Sequence, residues 1–215
     1  MSDVRARLKD KKRIVVKIGS SSLMYADTGL LNIGKVEKLA RILADLRNAG
    51  NDVCLVSSGA ISTGRNSLTT NNNSNTLSFK QACAAIGQAK LIAHYQRFFA
   101  EYSINTAQVL LTEIILADEE SRVNALNTFN ELFKLGAIPV VNENDSISTE
   151  EIKYVHTFGD NDRLSAIVTS IVGADMLILL SDIDGLYTDD PNSNPDAKFI
   201  DQVDKIDDNL LDMGK

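Results

Sequence analysis

Five short polar runs contain the side chains of this sequence that could do chemistry. Each run follows an apolar segment or begins a helical pattern, and glycine, serine, asparagine and aspartate dominate them. They occupy residues 17–21, 57–60, 142–145, 159–162 and 181–185. Ammonium, hydroxyl, amide and carboxylate groups gathered in this way suit the binding of a small charged ligand.

The first run, KIGSS, indicates a phosphate-binding turn. Gly19 lets the backbone approach a ligand closely, and successive N–H groups at such a turn can cradle an anion. Lys17 beside it supplies a positive point charge for phosphate. The run is not a Walker A loop, because its lysine precedes the glycine. The structural alternative is a lysine that ends a strand and extends into solvent.

The second run, SSGA, offers a similar turn at Ser58 and Gly59. A tight connection from a strand to a helix would also use Gly59, because glycine adopts backbone conformations that other residues avoid. A binding role and a purely structural role are equally open for this run.

The third run, NEND, predicts a site for an amino acid. Four polar side chains directly after the apolar IPVV cost free energy unless they meet polar partners. An aspartate such as Asp145 suits an ammonium group, and an asparagine suits a carboxylate. Turn formation by Asn and Asp is the structural alternative.

The fourth run, GDND, would begin a helix well, with Asp160 and Asp162 near the positive end of the helix dipole. One capping residue would suffice for that purpose. The additional polar groups, Asn161 among them, therefore indicate a second role. An aspartate here could hold Lys17 in place.

The fifth run, SDIDG, contains Asp182 and Asp184, which could bind Mg²⁺ or ribose hydroxyls. The Asp184-Gly185 pair also favours a turn. The two histidines, His94 and His156, lack the spacing of metal ligands, and we assign no residue to a metal.

A parallel α/β sheet is the predicted framework for these runs. Apolar runs at residues 14–17, 53–56, 106–111, 138–141 and 176–180 are nearly continuous in hydrophobicity, which is typical of strands buried on both faces. Helical patterns alternate with them, and one of these predicts a capping box at Ser78 and Gln81. Ligands gather at the carboxyl ends of parallel strands, where most of the polar runs begin.

The charge and composition of the sequence argue against nucleic-acid-binding, membrane-spanning and secreted proteins. The net charge is −7 over 215 residues, which argues against a nucleic-acid backbone as the main ligand. No run of about 20 apolar residues predicts a membrane span, and the charged N-terminus does not resemble a signal peptide. Cys54 and Cys83 lie in apolar segments and are expected to be buried free thiols, which suits a cytoplasmic location.

Six segments, in order from Arg13 onward, read VVKIGSSSL, VSSGAISTGR, KQACAAIGQAKL, PVVNENDSIS, FGDNDRLSA and LLSDIDGLYTDDP. Together they resemble the amino acid kinase family, in particular its members that phosphorylate glutamate. The resemblance implies a three-layer αβα sandwich with a mostly parallel central sheet. This agrees with the α/β class that the apolar runs indicate.

The resemblance also implies a reaction. The γ-phosphoryl group of ATP would pass to the γ-carboxylate of L-glutamate, giving L-glutamyl 5-phosphate, the first step of proline biosynthesis. The nucleophile is already an anion, so the enzyme would align two negative groups and neutralise the charge between them rather than supply a base. Mg²⁺ would bridge the β- and γ-phosphates and be held largely by them and by water.

By the same resemblance, each polar run receives a role. The catalytic residues would be Lys17, on the transferring phosphoryl group, and Asp162, which would orient Lys17. The remaining binding residues would be Gly19 and Ser20, as backbone donors to the phosphoryl group; Ser58 and Gly59, on the glutamate side; Asp145 and Asn161, on the polar ends of the amino acid; and Ser181 and Asp182, on the nucleotide.

The expected organisation departs from this family in three ways. Residues 1–215 would form the kinase domain without the glycine-rich GTGGM-type segment and its second lysine, and we do not assign that role to Lys215. The C-terminal RNA-modification-type domain would be absent. Residues 154–157 would lengthen the segment before GDND.

Regulation and alternatives follow from the same resemblance. The polar loop at residues 66–78 would close over the amino acid and carry feedback inhibition by L-proline, and the protein would form a homodimer or homotetramer. Two alternatives stay open: another kinase of this family, acting on acetylglutamate, carbamate or uridylate, or an inactive amino-acid-binding regulatory module.

Overall fold

The chain contains two compact units, residues Met1–Leu180 and Ser181–Lys215. A computed structural model describes residues 6–68, 74–112, 118–147, 160–206 and 210. Among the helices of these residues, none is long and apolar enough to cross a membrane.

The first unit is built on a five-stranded parallel sheet with the strand order β3-β4-β2-β1-β5. The predicted parallel α/β architecture is therefore confirmed. The strands are β1 (Arg13–Ile18), β2 (Asp52–Ser57), β3 (Thr106–Leu111), β4 (Ile138–Glu143) and β5 (Met176–Leu180).

Six helices of the described residues connect or follow these strands. They are α1 (Ser20–Leu23), α2 (Ile33–Asn48), α3 (Ala60–Asn66), α4 (Leu77–Ala100), α5 (Glu119–Lys134) and α6 (Asp160–Val172). The predicted capping box at Ser78 and Gln81 is wrong, because the N-cap of α4 is Thr76, two residues before Ser78.

Two hydrophobic cores lie on opposite faces of the sheet, because successive strand residues point to opposite sides. Ile14 and Val16 of β1 belong to one core, with the apolar faces of α2 and α4. Val15 belongs to the other core, with the apolar faces of α5 and α6. Helix, sheet and helix therefore form the three layers of an αβα sandwich.

The expectation that all five strands are buried on both faces is correct only for the central ones. In β5, Leu179 is 53% exposed, although the strand sequence MLILL is fully apolar. The strand lies at an edge of the sheet and pairs only with β1 among the described strands. An apolar run predicts a strand but does not fix its place in the strand order.

Two glycines allow α3 and α4 to touch backbone to backbone. A Cβ atom on Gly64 would lie 1.8 Å from the carbonyl oxygen of Cys83, and one on Gly87 would lie 1.8 Å from that of Ala60. No side chain can occupy either position without moving a helix. The turn that precedes α3 is consequently held close to the middle of α4.

At the amino ends of the strands, two acidic side chains hold the start of β1 in place. Asp175 Oδ2 accepts hydrogen bonds of 2.9 Å from the backbone N–H groups of Lys12 and Arg13. The Arg13 guanidinium in turn donates to Asp52 Oδ2 and to the carbonyl oxygen of Val172.

The second unit contains a small antiparallel pair, β6 (Leu186–Tyr187) and β7 (Phe199–Ile200). The rings of Tyr187 and Phe199 meet edge to face, with 5.4 Å between their centroids. The segment between the two strands is rich in turns.

Candidate active site

Polar side chains from three strands and one helix meet at the carboxyl edge of the first unit's sheet. The register aligns Lys17 with Val56 on β2, and Val56 with Val141 on β4. The residues that follow β2 and β4 are thereby brought beside the end of β1. Helix α6 begins at this edge, and it contributes Asn161 and Asp162.

Lys17 is held by an ion pair at this edge. Its Nζ lies 2.7 Å from Asp162 Oδ1, and the side chains are 12% and 46% exposed. A Cβ on Gly19 would lie 3.5 Å from the same Nζ, so the amine folds back over Gly19. Ser20 then begins the short helix α1. Three of the residues predicted for the phosphoryl group thus lie together.

Gly59 has the conformation that the turn after β2 requires. Its φ is +105°, in the left-handed region, which confirms a structural need for glycine here. A Cβ at Gly59 would also lie 2.9 Å from Met24 Cε. The Ser58 N–H donates to the carbonyl oxygen of Ile18 at 3.1 Å, so the turn is tied to β1.

A chain of hydrogen bonds links Ser58 to the middle of α4. The Asn161 amide nitrogen donates to Ser58 Oγ at 2.5 Å and to Asn142 Oδ1 at 3.1 Å. The Asn142 amide nitrogen then donates to Gln88 Oε1 at 2.9 Å. Asn161 Oδ1 is buried and has no hydrogen-bond partner among the described residues. We call Gln88, Asn142 and Asn161 the amide relay.

Sequence reasoning missed Gln88 and did not assign Asn142 to the site. A signal for Gln88 was nevertheless present in the helical spacing. Ala84 precedes it by four residues and Leu91 follows it by three, and both are buried. A glutamine within the buried stripe of a helix requires a polar partner, and Asn142 supplies one.

Asp145 lies in the turn after β4 and is buried. It lines a cavity of about 280 Å³ that is also lined by Glu143, Gln108 and Gln88. The turn is fixed to β3, because the Asn144 N–H donates to the carbonyl oxygen of Leu111 at 2.8 Å. Through Gln88, this acid-lined cavity adjoins the amide relay.

Burial keeps two titratable groups near the site neutral. Tyr95 lies beneath the end of β2, where its hydroxyl is 2.9 Å from Ser57 Oγ, and desolvation raises its pKa. Desolvation also raises the pKa of Cys54, and both Cys54 and Cys83 are buried free thiols, as predicted. The Cys54 thiol is therefore protonated and unreactive.

The remaining predicted residues belong to the second unit or lie outside the described residues. Ser181 and Asp182 are exposed residues of the second unit, and the Ser181 hydroxyl donates to Asp182 Oδ1 at 3.1 Å. Residues 69–73 of the predicted loop, residues 154–157 and Lys215 lie outside the described residues. In the part of the chain that is described, no group of three or more His, Cys, Asp or Glu side chains could hold a metal.

A parallel αβα sandwich with a lysine and an amide cluster at its carboxyl edge defines the class of protein. The Amino acid kinase family matches residues 12–212, and the chain belongs to this family.

The relatives that this chain resembles within the family include several glutamate 5-kinases. The chain is 50% identical to the glutamate 5-kinase of Clostridium perfringens over 94% of its own length and 75% of that protein. It is 45% identical to the glutamate 5-kinase of Enterococcus faecalis over 98% of its length and 77% of that protein. Against the glutamate 5-kinase of Carboxydothermus hydrogenoformans, the identity is 49% over 96% of the chain, which spans 55% of that relative.

Proposed function

We propose that this chain transfers the γ-phosphoryl group of ATP to the γ-carboxylate of L-glutamate. The product is L-glutamyl 5-phosphate, and the reaction is the first step of proline biosynthesis. The observation that carries the proposal is the identity of 50% to a protein named glutamate 5-kinase over 94% of the chain. The site geometry supports it, because a cation and an amide cluster lie at the same edge of the sheet.

In the proposed mechanism, charge neutralisation replaces acid–base chemistry. A glutamate γ-carboxylate is an anion at neutral pH and attacks the γ-phosphorus directly, so the main barrier is the approach of two negative groups. Lys17 reduces this repulsion by binding the phosphoryl oxygens. The backbone N–H groups at Gly19 and Ser20 add donors, and Asp162 holds the Lys17 amine in position.

The amino acid is proposed to lie along the amide relay. Ser58 and the Gly59 turn would bind the end that is phosphorylated, because this turn is hydrogen-bonded to the end of β1. Asn161 would bind the substrate through its unpaired carbonyl oxygen, which requires an N–H donor. Asp145 would pair with the α-ammonium group, since a buried carboxylate gains most from a cationic partner.

ATP is proposed to bind with Mg²⁺ on its phosphates and with Ser181 and Asp182 on the nucleotide. Mg²⁺ would enter with ATP and keep phosphate and water ligands. When bound, Mg²⁺ would withdraw negative charge from the transferring group.

The proposal also covers the location, the oligomeric state and the regulation of the enzyme. Residues 1–215 would act as an amino acid kinase domain in the cytoplasm, in a homodimer or homotetramer, without a nucleic-acid or membrane partner. L-Proline would be a feedback inhibitor, with the loop at residues 66–78 closing over the amino acid. These statements rest on the resemblance to the family, and the negative net charge of −7 agrees with the absence of nucleic acid.

Hydroxylamine trapping tests the reaction directly. Acyl phosphates react with hydroxylamine to give hydroxamates, so the protein incubated with ATP, Mg²⁺ and L-glutamate should form a coloured iron–hydroxamate complex. ADP release should depend on glutamate. Parallel incubations with acetylglutamate, carbamate and uridylate, followed by ADP release, measure the competing acceptors.

Each result of this assay has a defined meaning. Glutamate-dependent hydroxamate formation supports the proposal. ADP release with another acceptor identifies a different kinase of the same family. Binding of glutamate, measured by calorimetry, with no ADP release from any acceptor would indicate the regulatory module instead.

A further inference from the structure

We propose that Gln88 is a positioning residue of the amino acid site, which acts through Asn142 to fix the orientation of the Asn161 amide. The proposal rests on the proposed function for its kinetic readout only. The structural basis is a chain of three side-chain amides, in which the nitrogen of each amide donates to the oxygen of the next. This chain determines whether Asn161 presents its oxygen or its nitrogen to a ligand.

Both amide hydrogens of Asn161 are already used within the protein. One is donated to Ser58 Oγ and the other to Asn142 Oδ1. Its carbonyl oxygen Oδ1 is buried without a partner among the described residues. A buried unpaired acceptor is unfavourable, so this orientation persists only if the neighbouring groups enforce it.

The neighbouring amides enforce this orientation of Asn161, because each hydrogen bond of the amide relay needs a nitrogen facing an oxygen. If the Asn161 amide turned over, its oxygen would face Asn142 Oδ1, and two acceptors would repel each other. Asn142 would then have to turn as well, which would place its oxygen against Gln88 Oε1. The three amides can therefore reverse only together. Gln88 is the last acceptor of the chain, so its orientation sets the orientation of the other two amides.

The environment of Gln88 favours the observed direction. Gln88 lines the same cavity as Glu143 and Asp145, and all three side chains are largely buried. Carboxylates accept hydrogen bonds and create a negative potential, so the amide nitrogen of Gln88 is favoured on the cavity side. Its oxygen is then left to accept from Asn142.

The consequence for binding is that Asn161 Oδ1 is reserved for a donor on the substrate. A substrate that supplies an N–H group removes the cost of the unpaired acceptor, and the free energy of binding becomes more favourable. If the relay loses its direction, the Asn161 amide samples both orientations, and only one of them matches the substrate.

A double-mutant cycle tests the path of this effect. Gln88→Met keeps the volume but removes the acceptor, and we expect the KM for glutamate to rise about ten-fold, with kcat and the KM for ATP changed less than about two-fold. Asn142→Asp keeps an acceptor for Asn161 but no longer donates to Gln88. In that background, Gln88→Met should change the KM for glutamate by less than about two-fold.

Gln96→Met is the matched control, because Gln96 lies on the same helix with an exposed side chain. It should leave every kinetic constant unchanged. A second readout needs no substrate: in ¹⁵N-labelled protein, the side-chain NH₂ group of Asn161 should exchange with water faster in Gln88→Met than in the native protein or Gln96→Met.

The two proposals fail in different ways. If native protein forms no hydroxamate but Gln88→Met accelerates exchange of the Asn161 amide, the relay stands and the proposed reaction fails. If exchange of the Asn161 amide is the same in Gln88→Met and native protein, the relay is overturned. A full increase in KM in the Asn142→Asp background would overturn it too.

Discussion

Lys17 Nζ lies 2.7 Å from Asp162 Oδ1 and joins the end of β1 to the first turn of α6. Asp162 is 46% exposed, and pairs this accessible to solvent contribute only about 0–1 kcal/mol to stability. A contribution of that size gives little reason to hold a largely buried lysine at the carboxyl edge of a sheet. The pair agrees with the proposal that Asp162 orients the Lys17 amine towards the phosphoryl group.

Replacement of Lys17 by alanine should therefore remove nearly all turnover and spare the fold. Loss of one well-aimed charge commonly raises a barrier by about 2.7–4 kcal/mol, so kcat should fall about 10²- to 10³-fold. Hydroxamate formation measures the rate, and circular dichroism checks the fold. Lys134→Ala removes another ion-paired lysine, which is 72% exposed, and should have native kinetics. An active Lys17→Ala protein would contradict the assignment of Lys17.

Asp162→Asn should lower kcat by less than Lys17→Ala does, because the amine remains but loses the carboxylate that orients it. An amide at this position can accept only a weaker hydrogen bond from Lys17. If Asp162 acts through Lys17, the double variant should be no slower than Lys17→Ala alone. Additive losses, measured in the same hydroxamate assay, would assign Asp162 an independent role.

Asp145→Ala should raise the KM for glutamate and leave the KM for ATP within about two-fold of its native value. The removed carboxylate is buried and lines the cavity beside Gln88, and a charge-assisted hydrogen bond commonly contributes about 1.5–3 kcal/mol. The expected increase is thus about ten-fold or more. Asp45→Ala, on the exposed face of α2, is the control. An unchanged KM for glutamate would place the amino acid elsewhere.

The contact between α3 and α4 makes a prediction about stability. Gly87→Ala would place a methyl group 1.8 Å from the carbonyl oxygen of Ala60, so the helices must separate, at a cost of about 3 kcal/mol. Gly34→Ala, in α2, meets only an ordinary contact of 3.5 Å and should stabilise the protein by up to about 1 kcal/mol. Urea unfolding measures both. Equal stability of the two variants would show that the helices accommodate a side chain freely.

Acid should weaken the fold through Asp175. Hydrogen bonds from the N–H groups of Arg13 and Lys12 lower the pKa of this carboxyl group below its ordinary value of 3.8. A lowered pKa in the folded state gives stability that is present above 3.8 and is lost as the pH falls through the lowered value. In Asp175→Asn, the urea midpoint should fall less steeply as the pH is lowered below 3.8. A native acid slope in this variant would exclude Asp175 as its source.

Much of the fold could be predicted from the sequence, because hydrophobic runs determine what is buried. The predicted bounds of β3 and β5 match the structure, and those of the other strands differ by one or two residues. The burial of β5 could not be predicted, since the exposure of Leu179 depends on which strands flank it. The start of α4 was misplaced because the Ser78 signal is only local, and the helix begins at Leu77.

The candidate site was accessible to sequence reasoning only in part. Polar runs after strands indicated Lys17 and Ser58, because chain order and sheet direction place such residues at one edge, and a polar run at a helix start indicated Asn161. Gln88 lies in the middle of a long helix, and its contact with Asn142 depends on how that helix crosses the sheet. The residues near Gln88 in the sequence do not indicate how this helix crosses the sheet.

The amide relay draws its members from segments that are far apart in the chain and share no strand or helix. The three amides cannot bind a ligand together until α4 and α6 have both packed against the end of β4. During refolding, the ability to bind ligand should therefore return with the last slow phase rather than with the early gain of helix, and catalytic recovery would report completed assembly of the molecule.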